Sequence, residues 1–132
     1  MRSDRLALAA LAGLAVLLVV AGLVTVGGPE EARRQRRDEA RVAALSDLAR
    51  CMAQLPVAEF DALPPEMAAD NPCVDRDNWR DAGTGAPFRL VRGEGGAFSL
   101  CAAFENPASV RRNFYGQSFD PATGCVTARR DE

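Results

Sequence analysis

Four cysteines and a group of aspartates are the residues of this 132-residue chain whose types and spacing could do chemistry. Cys51, Cys73, Cys101 and Cys125 are widely separated, and no two form a C-x-x-C pair. A thioredoxin-type redox site and a zinc knuckle therefore find no support, and a tetrathiolate zinc site would lack the usual paired spacing. Disulfides remain, with three pairings open to four cysteines. Asp70, Asp75, Asp77 and Asp81 gather in one short stretch. Asp75-x-Asp77 matches the start of a calcium loop, which makes Asp75, Asp77 and Asp81 the calcium candidates. The match is partial, because Trp79 and Arg80 stand where a further ligand and the turn glycine belong, and no metal is expected. Trp79, the single tryptophan, reads as a packing residue at a core edge.

Composition removes other chemistries. The chain has no histidine, and all 16 of its cations are arginine. Ser-His-Asp and Cys-His catalysis, histidine metal ligands, Schiff-base chemistry and a phosphate-loop lysine are thereby excluded. Only carboxylates remain as conventional catalytic groups, and no spacing singles out an acid and base pair. No catalytic residue, no cofactor and no enzyme activity are expected. A net charge of -2 argues against nucleic acid as a partner.

The elements that must position these residues follow from hydropathy. Residues 1–5 form a short tail, expected in the cytoplasm. Leu6 to Val26 carries no charge and, at about 1.5 Å per residue, is roughly 31 Å long as a helix. It is longer than a signal-peptide core, and Val24-Thr25-Val26-Gly27-Gly28 is a poor cleavage site, so an uncleaved anchor is expected. Ala9 and Gly13 offer a small-xxx-small pair, a weak sign of helix association. Residues 27–55 read as a juxtamembrane and amphipathic helix. Pro29 with Glu30 and Glu31 opens it, and Val42, Leu45, Leu48, Met52 and Leu55 recur along one face. Arg33, Arg34, Arg36 and Arg37 flank the membrane segment, as solvated turns or as headgroup contacts.

Residues 56–86 read as a loop region, with a short helical piece near Val57–Leu63 and turn chemistry at Pro64-Pro65, Asp70-Asn71-Pro72 and Gly83-Thr84-Gly85. Residues 87–128 read as an antiparallel sheet. Phe88 and Leu90 lead into a hairpin turn at Gly93-Glu94-Gly95-Gly96. Phe98, Leu100, Ala102 and Phe104 then alternate with Ala97, Ser99, Cys101 and Ala103. Asn106–Asp120 reads as an irregular excursion whose Phe114-Tyr115-Gly116 and Phe119 cover an edge. Cys125–Ala128 is a closing strand, and 129–132 is a polar tail. Cys101 on one strand and Cys125 on the next make a natural pair on the face away from the helix, which leaves Cys51 to join Cys73. Such staples suit a small domain with limited apolar area.

The fold class is thus α+β: an N-terminal transmembrane helix, then a long amphipathic helix packed on a small three- to four-stranded antiparallel sheet. That order resembles the type II secretion major pseudopilins. Asp81-Ala82-Gly83-Thr84-Gly85-Ala86-Pro87-Phe88-Arg89-Leu90 is similar to the family's D-x-x-G-x-P-[YF]-x-[YF] approach to the hairpin. Leu100-Cys101-Ala102-Ala103-Phe104 and Gly124-Cys125 are similar to the "LCA-x-F" segment and closing strand of pseudopilin-like uncharacterised bacterial membrane proteins. The resemblance implies a fold. It does not extend to filament assembly, because the apolar run contains neither the family's glutamate nor a Gly-Phe junction before it.

The arginine flank alone would keep the second domain in the cytoplasm, whereas the cysteines favour an oxidising compartment. The cysteines decide the expectation: a single-pass protein of a bacterial inner membrane with a periplasmic domain. Its expected role is a non-enzymatic structural or interaction module, with the lipid bilayer and either a second copy or a membrane protein as partners. A secretion-system or pilus-like assembly component and a calcium-dependent binding module are the alternatives.

Overall fold

The computed structural model describes residues 2–75, 78–110 and 117–130, together with the backbone of 113–114. The chain divides into two compact units, Met1–Arg33 and Arg34–Glu132.

The first unit is built on helix α1 (Arg2–Val26), in which no residue is buried. The charged tail expected at residues 1–5 is thus helical from Arg2 onward. By length and composition α1 can cross a membrane. The one hydroxyl in its apolar run is satisfied internally: Thr25 Oγ1 donates to the carbonyls of Ala21 and Gly22, each at 3.0 Å. A spanning helix needs such internal partners, because lipid offers none. Gly27-Gly28 ends the helix, and helix α2 (Pro29–Ala53) opens on the expected proline with acids in its first turn.

The second unit is a helix-on-sheet domain. The remainder of α2 is followed by a short helix α3 (Val57–Asp61) and strands β1 (Arg89–Arg92), β2 (Ala97–Cys101), β3 (Asn113–Phe114), β4 (Gln117–Asp120) and β5 (Cys125–Arg129). The sheet is antiparallel in the order β1-β2-β5-β4-β3, four main strands extended by the two residues of β3. Period-2 burial builds its inner face from Leu90, Phe98, Leu100, Phe119, Val126 and Ala128. These form one core with Leu45, Leu48, Ala49 and Met52 of α2 and with Phe60, Leu63, Met67 and Phe88 from the connecting region. Trp79 packs at the edge of that core, as expected of the chain's single tryptophan.

The β1–β2 turn falls where the glycines required it. Gly95 and Gly96 have φ of 62° and 75°, and the Gly93 amide donates to the Ala97 carbonyl at 2.8 Å. Gly124 is required at the start of β5. Its φ is 68°, and a Cβ there would lie 2.6 Å from the Ala102 carbonyl oxygen. The loop region lies along the free edge of β1, with the Leu90 amide bound to Pro65 O at 2.6 Å and the Met67 amide to Phe88 O at 2.8 Å. That cover shields an edge otherwise open to pairing.

Two expectations need correction. The Asn106–Asp120 segment is not an irregular excursion: it holds a 3-10 turn (Pro107–Ser109), β3 and β4. Ala102 and Phe104 do not continue β2, which ends at Cys101; Phe104 turns inward and meets Phe119 with ring centroids 4.8 Å apart. The edge cover expected from Tyr115 and Gly116, and from the Phe114 side chain, lies outside the described residues.

Candidate functional site

The four cysteines form the two expected disulfides, Cys51–Cys73 and Cys101–Cys125. Cys101 and Cys125 face each other in the β2–β5 register, on the side of the sheet away from α2. Ser99 and Thr127 hydrogen-bond 2.9 Å apart in the next row of the same face. Cys51–Cys73 ties the end of α2 to the connecting region, which has little regular structure of its own.

The most concentrated polar chemistry lies elsewhere, on α2. The helical stripe that buries Leu45, Leu48 and Met52 continues one and two turns back onto Arg41 and Asp38, and both are buried. Arg41 is the hub. Its Nε donates to Asp81 at 2.6 Å, and its Nη1 donates to Asp38 at 2.7 Å and to Glu105 at 3.4 Å. Asp38 also accepts two backbone amides, Glu105 N–H at 3.0 Å and Asn106 N–H at 2.6 Å. Asp81 accepts the Gly83 amide at 2.7 Å, which shapes the turn before β1. Arg37 completes the group with a forked bond to Glu105, 2.7 Å from Nε and 3.1 Å from Nη2. α2, the 78–88 turn and the segment leaving β2 are joined at this one place.

The electrostatics follow from the contacts. Burial opposes the charge on Arg41, but its hydrogen bonds to Asp81 and Asp38 outweigh that and hold its pKa above the ordinary arginine value. Burial also pushes the Asp81 carboxyl up; the Arg41 guanidinium and the Gly83 amide more than reverse the push, and the carboxyl sits below the usual range. The hydrogen bond from Arg37 lowers Glu105, which lies at the surface. A carboxylate held ionised in this way is a poor proton donor near neutrality. What the arrangement does well is fasten three segments.

A cleft of about 160 Å³ lies beside the junction, with Ala40, Ala44, Ala82 and Phe88 on its walls and Arg41 and Asp81 at its polar end. A second buried polar pair joins α2 to β4. Ser46 Oγ donates to Gln117 Oε1 at 2.6 Å, and Gln117 Nε2 donates to Ser46 O at 3.2 Å.

The calcium candidates separate. Asp81 is committed to Arg41 and the Gly83 amide, because a guanidinium within hydrogen-bond distance satisfies the lone pairs a cation would need. Asp75 is exposed, and Asp77 lies outside the described residues. Among the described residues no three potential ligands gather to hold a metal. The arginine flank also divides. Arg33, Arg34 and Arg36 are exposed, with Arg33 3.9 Å from Glu30. Arg37 is not a flanking arginine of that kind, since its guanidinium grips Glu105 across 68 residues of sequence.

Sequence reasoning overlooked Asp38, Arg41, Glu105, Ser46 and Gln117. The signal for the first two was present: extending the apolar stripe toward the N-terminus lands on a charged pair at i,i+3, and a charged pair on a buried face implies a buried ion pair. No protein-family model matches the chain, no curated protein matches it, and no solved structure matches it.

Proposed function

We propose that this chain is a single-pass protein of a bacterial inner membrane, whose pseudopilin-like domain faces the periplasm and serves as a non-enzymatic interaction module. The observation that carries the reading is the pairing of all four cysteines in the domain that follows α1, a 25-residue apolar helix with nothing buried. Disulfides persist in oxidising compartments, and an exposed apolar helix of this length calls for a bilayer. The pseudopilin-like part is supported by the element order and by the Asp81–Leu90 turn into the hairpin. The non-enzymatic part is supported by the state of the buried carboxylates, whose oxygens are taken up by guanidiniums and backbone amides.

Thiol trapping in intact cells tests the reading. The full-length chain is expressed in a bacterium, free thiols are alkylated before lysis, and modified cysteines are counted on a gel with and without prior reduction. All four thiols blocked until reduction is the expected result. Four free thiols would place the domain in the cytoplasm and overturn the periplasmic assignment.

A further inference from the structure

The strand register sorts the side chains on the face of the sheet away from α2 into rows. One row runs Arg89, Cys101, Cys125 and Asp120 across β1, β2, β5 and β4. The next runs Val91, Ser99, Thr127 and Ser118 in the same strand order. The middle of the face is small and uncharged, with a disulfide in one row and the Ser99–Thr127 hydrogen bond in the other. Val91 is 51% exposed there; outside α1, Val57 is the other large apolar side chain so exposed among the described residues. The charges of the first row stand at its two ends, Arg89 and Asp120, about 14 Å apart at the spacing of strands.

Both end charges are available to a partner. Arg89 is exposed and forms no ion pair among the described residues, although Glu66 lies opposite it in the loop that covers the β1 edge. Asp120 is exposed, and each of its oxygens accepts one bond from the following turn: Ala122 N–H at 2.9 Å and Thr123 O–H at 3.0 Å. A carboxylate oxygen has two lone pairs, so each can accept one more. A row that is positive at one end, negative at the other and neutral between is complementary to itself. A half-turn about an axis parallel to the strands, placed between β2 and β5, lays β1 of one copy on β4 of another and β2 on β5. The rows stay in step. Arg89 of each copy then meets Asp120 of the other, at both ends of the row. Arg129, exposed on β5, falls opposite the short side chain of Ala97 in the second copy.

We infer that a second copy of this chain docks on this face, sheet against sheet, in an isologous pair held in register by the two Arg89–Asp120 contacts. Stacked sheets cross at about 30°, a rotation that a long arginine side chain at the corner follows. Four strands and three rows cover roughly 400 Å² per copy. That is about half of a standard interface. Anchors in one bilayer offset the difference, because they hold the copies at high effective concentration. The inference rests on the membrane-anchored interaction module and names its partner and its surface.

A charge swap tests the pairing on the full chain in phosphatidylcholine vesicles. Donor and acceptor dyes are placed on the N-terminal amines of separate samples, and energy transfer between them is the readout. Wild-type copies transfer above the level of a random distribution, and the excess falls in high salt. R89D alone and D120R alone each associate about tenfold more weakly, because like charges then meet at both ends of the row. An equal mixture of R89D and D120R recovers the wild-type signal, since every contact again joins opposite charges. Neither contact between α1 helices nor a folding defect produces that recovery. R36D, a charge change elsewhere on the surface, leaves the signal unchanged. A melting curve accompanies each variant. If D120R does not fold, D120N replaces it, and its mixture with R89D keeps one matched end and exceeds R89D alone. No excess transfer by the inserted wild type, an equal loss in R36D, or a mixture that does not recover overturns the inference. Vesicle flotation reads insertion separately, and failure to insert overturns the anchor and the pairing together. The measurement does not depend on which side of the membrane the domain occupies, so a failure of pairing leaves the thiol-trapping result standing.

Discussion

At one end of the helix–sheet core Arg41 is buried among carboxylates; at the other, Arg92 and Arg130 meet carbonyls and a phenylalanine ring. Both ends use arginine to seal hydrocarbon from water, and the partners decide what the seal responds to. The Arg41 end is an ion network whose strength depends on the ionisation of its acids. The Arg92–Arg130 end depends on dipoles and a π face, which do not titrate. The first is charge-matched within the domain, while the second leaves cation charge unmatched among the described residues. The same residue type is thus fastened by carboxylates at one end and by backbone carbonyls and a ring at the other.

The strongest way to break this contrast is Asp38→Ala. Asp38 is fully buried and accepts a guanidinium and two backbone amides, so its removal strands both amides and leaves Arg41 Nη1 only its longer bond to Glu105. Breaking a buried pair from one side costs about 3–5 kcal/mol. Denaturant unfolding of the oxidised full chain in detergent, followed by near-ultraviolet circular dichroism, should show a loss of that size. Arg130→Gln should cost about 1 kcal/mol or less in the same assay, because the lost bond to Leu55 O is offset by removing a buried Nε that has no acceptor. Similar losses for the two variants would erase the distinction between the ends.

Acid sharpens the contrast further. The folded-state pKa of Asp81 lies below its ordinary value of 3.8. Its contribution is therefore fully present above that value and is lost as pH falls through the lowered folded value. A stability profile of the wild type should drop below about pH 4, and Asp81→Asn should flatten that drop while lowering stability at neutral pH. Arg130→Gln should leave the acid limb unchanged. An equally steep acid limb in Asp81→Asn would mean that the network is not what acid dissolves. The smallest effect belongs to Arg37→Gln. The Arg37–Glu105 pair is near 37% and 36% exposed, and water and salt screen it. Its melting shift should be the smallest of the set at low salt and should vanish in high salt.

The contrast also explains what the sequence disclosed. The long apolar helix α1, the apolar stripe of α2, the hairpin glycines and the cysteine pairing were all legible, because each rests on a local or periodic signal. Pairing Cys101 with Cys125 needed only the assignment of two strands and their shared face. β4 was illegible for a physical reason. Its inward positions are Gln117 and Phe119, and Gln117 is tolerated inside only because Ser46, 71 residues away, satisfies it. The alternation of apolar and polar residues therefore breaks where a polar residue faces the core. Arg37 and Arg41 were obscured by their setting, a run of arginines and acids that reads as a solvated surface. Asp81 was visible as an acid and misread as a calcium candidate, since nothing local announces a guanidinium 40 residues away.

The Asp38 carboxylate holds backbone amides 67 and 68 residues further along the chain. Contacts between such distant partners require most of the intervening chain to be in place before they form. The hairpin, by contrast, can close within a few residues. Asp38→Ala is therefore expected to speed unfolding more than it slows folding, which refolding and unfolding rates measured by stopped flow would check. On that expectation one buried aspartate acts as a clock on the lifetime of the folded domain.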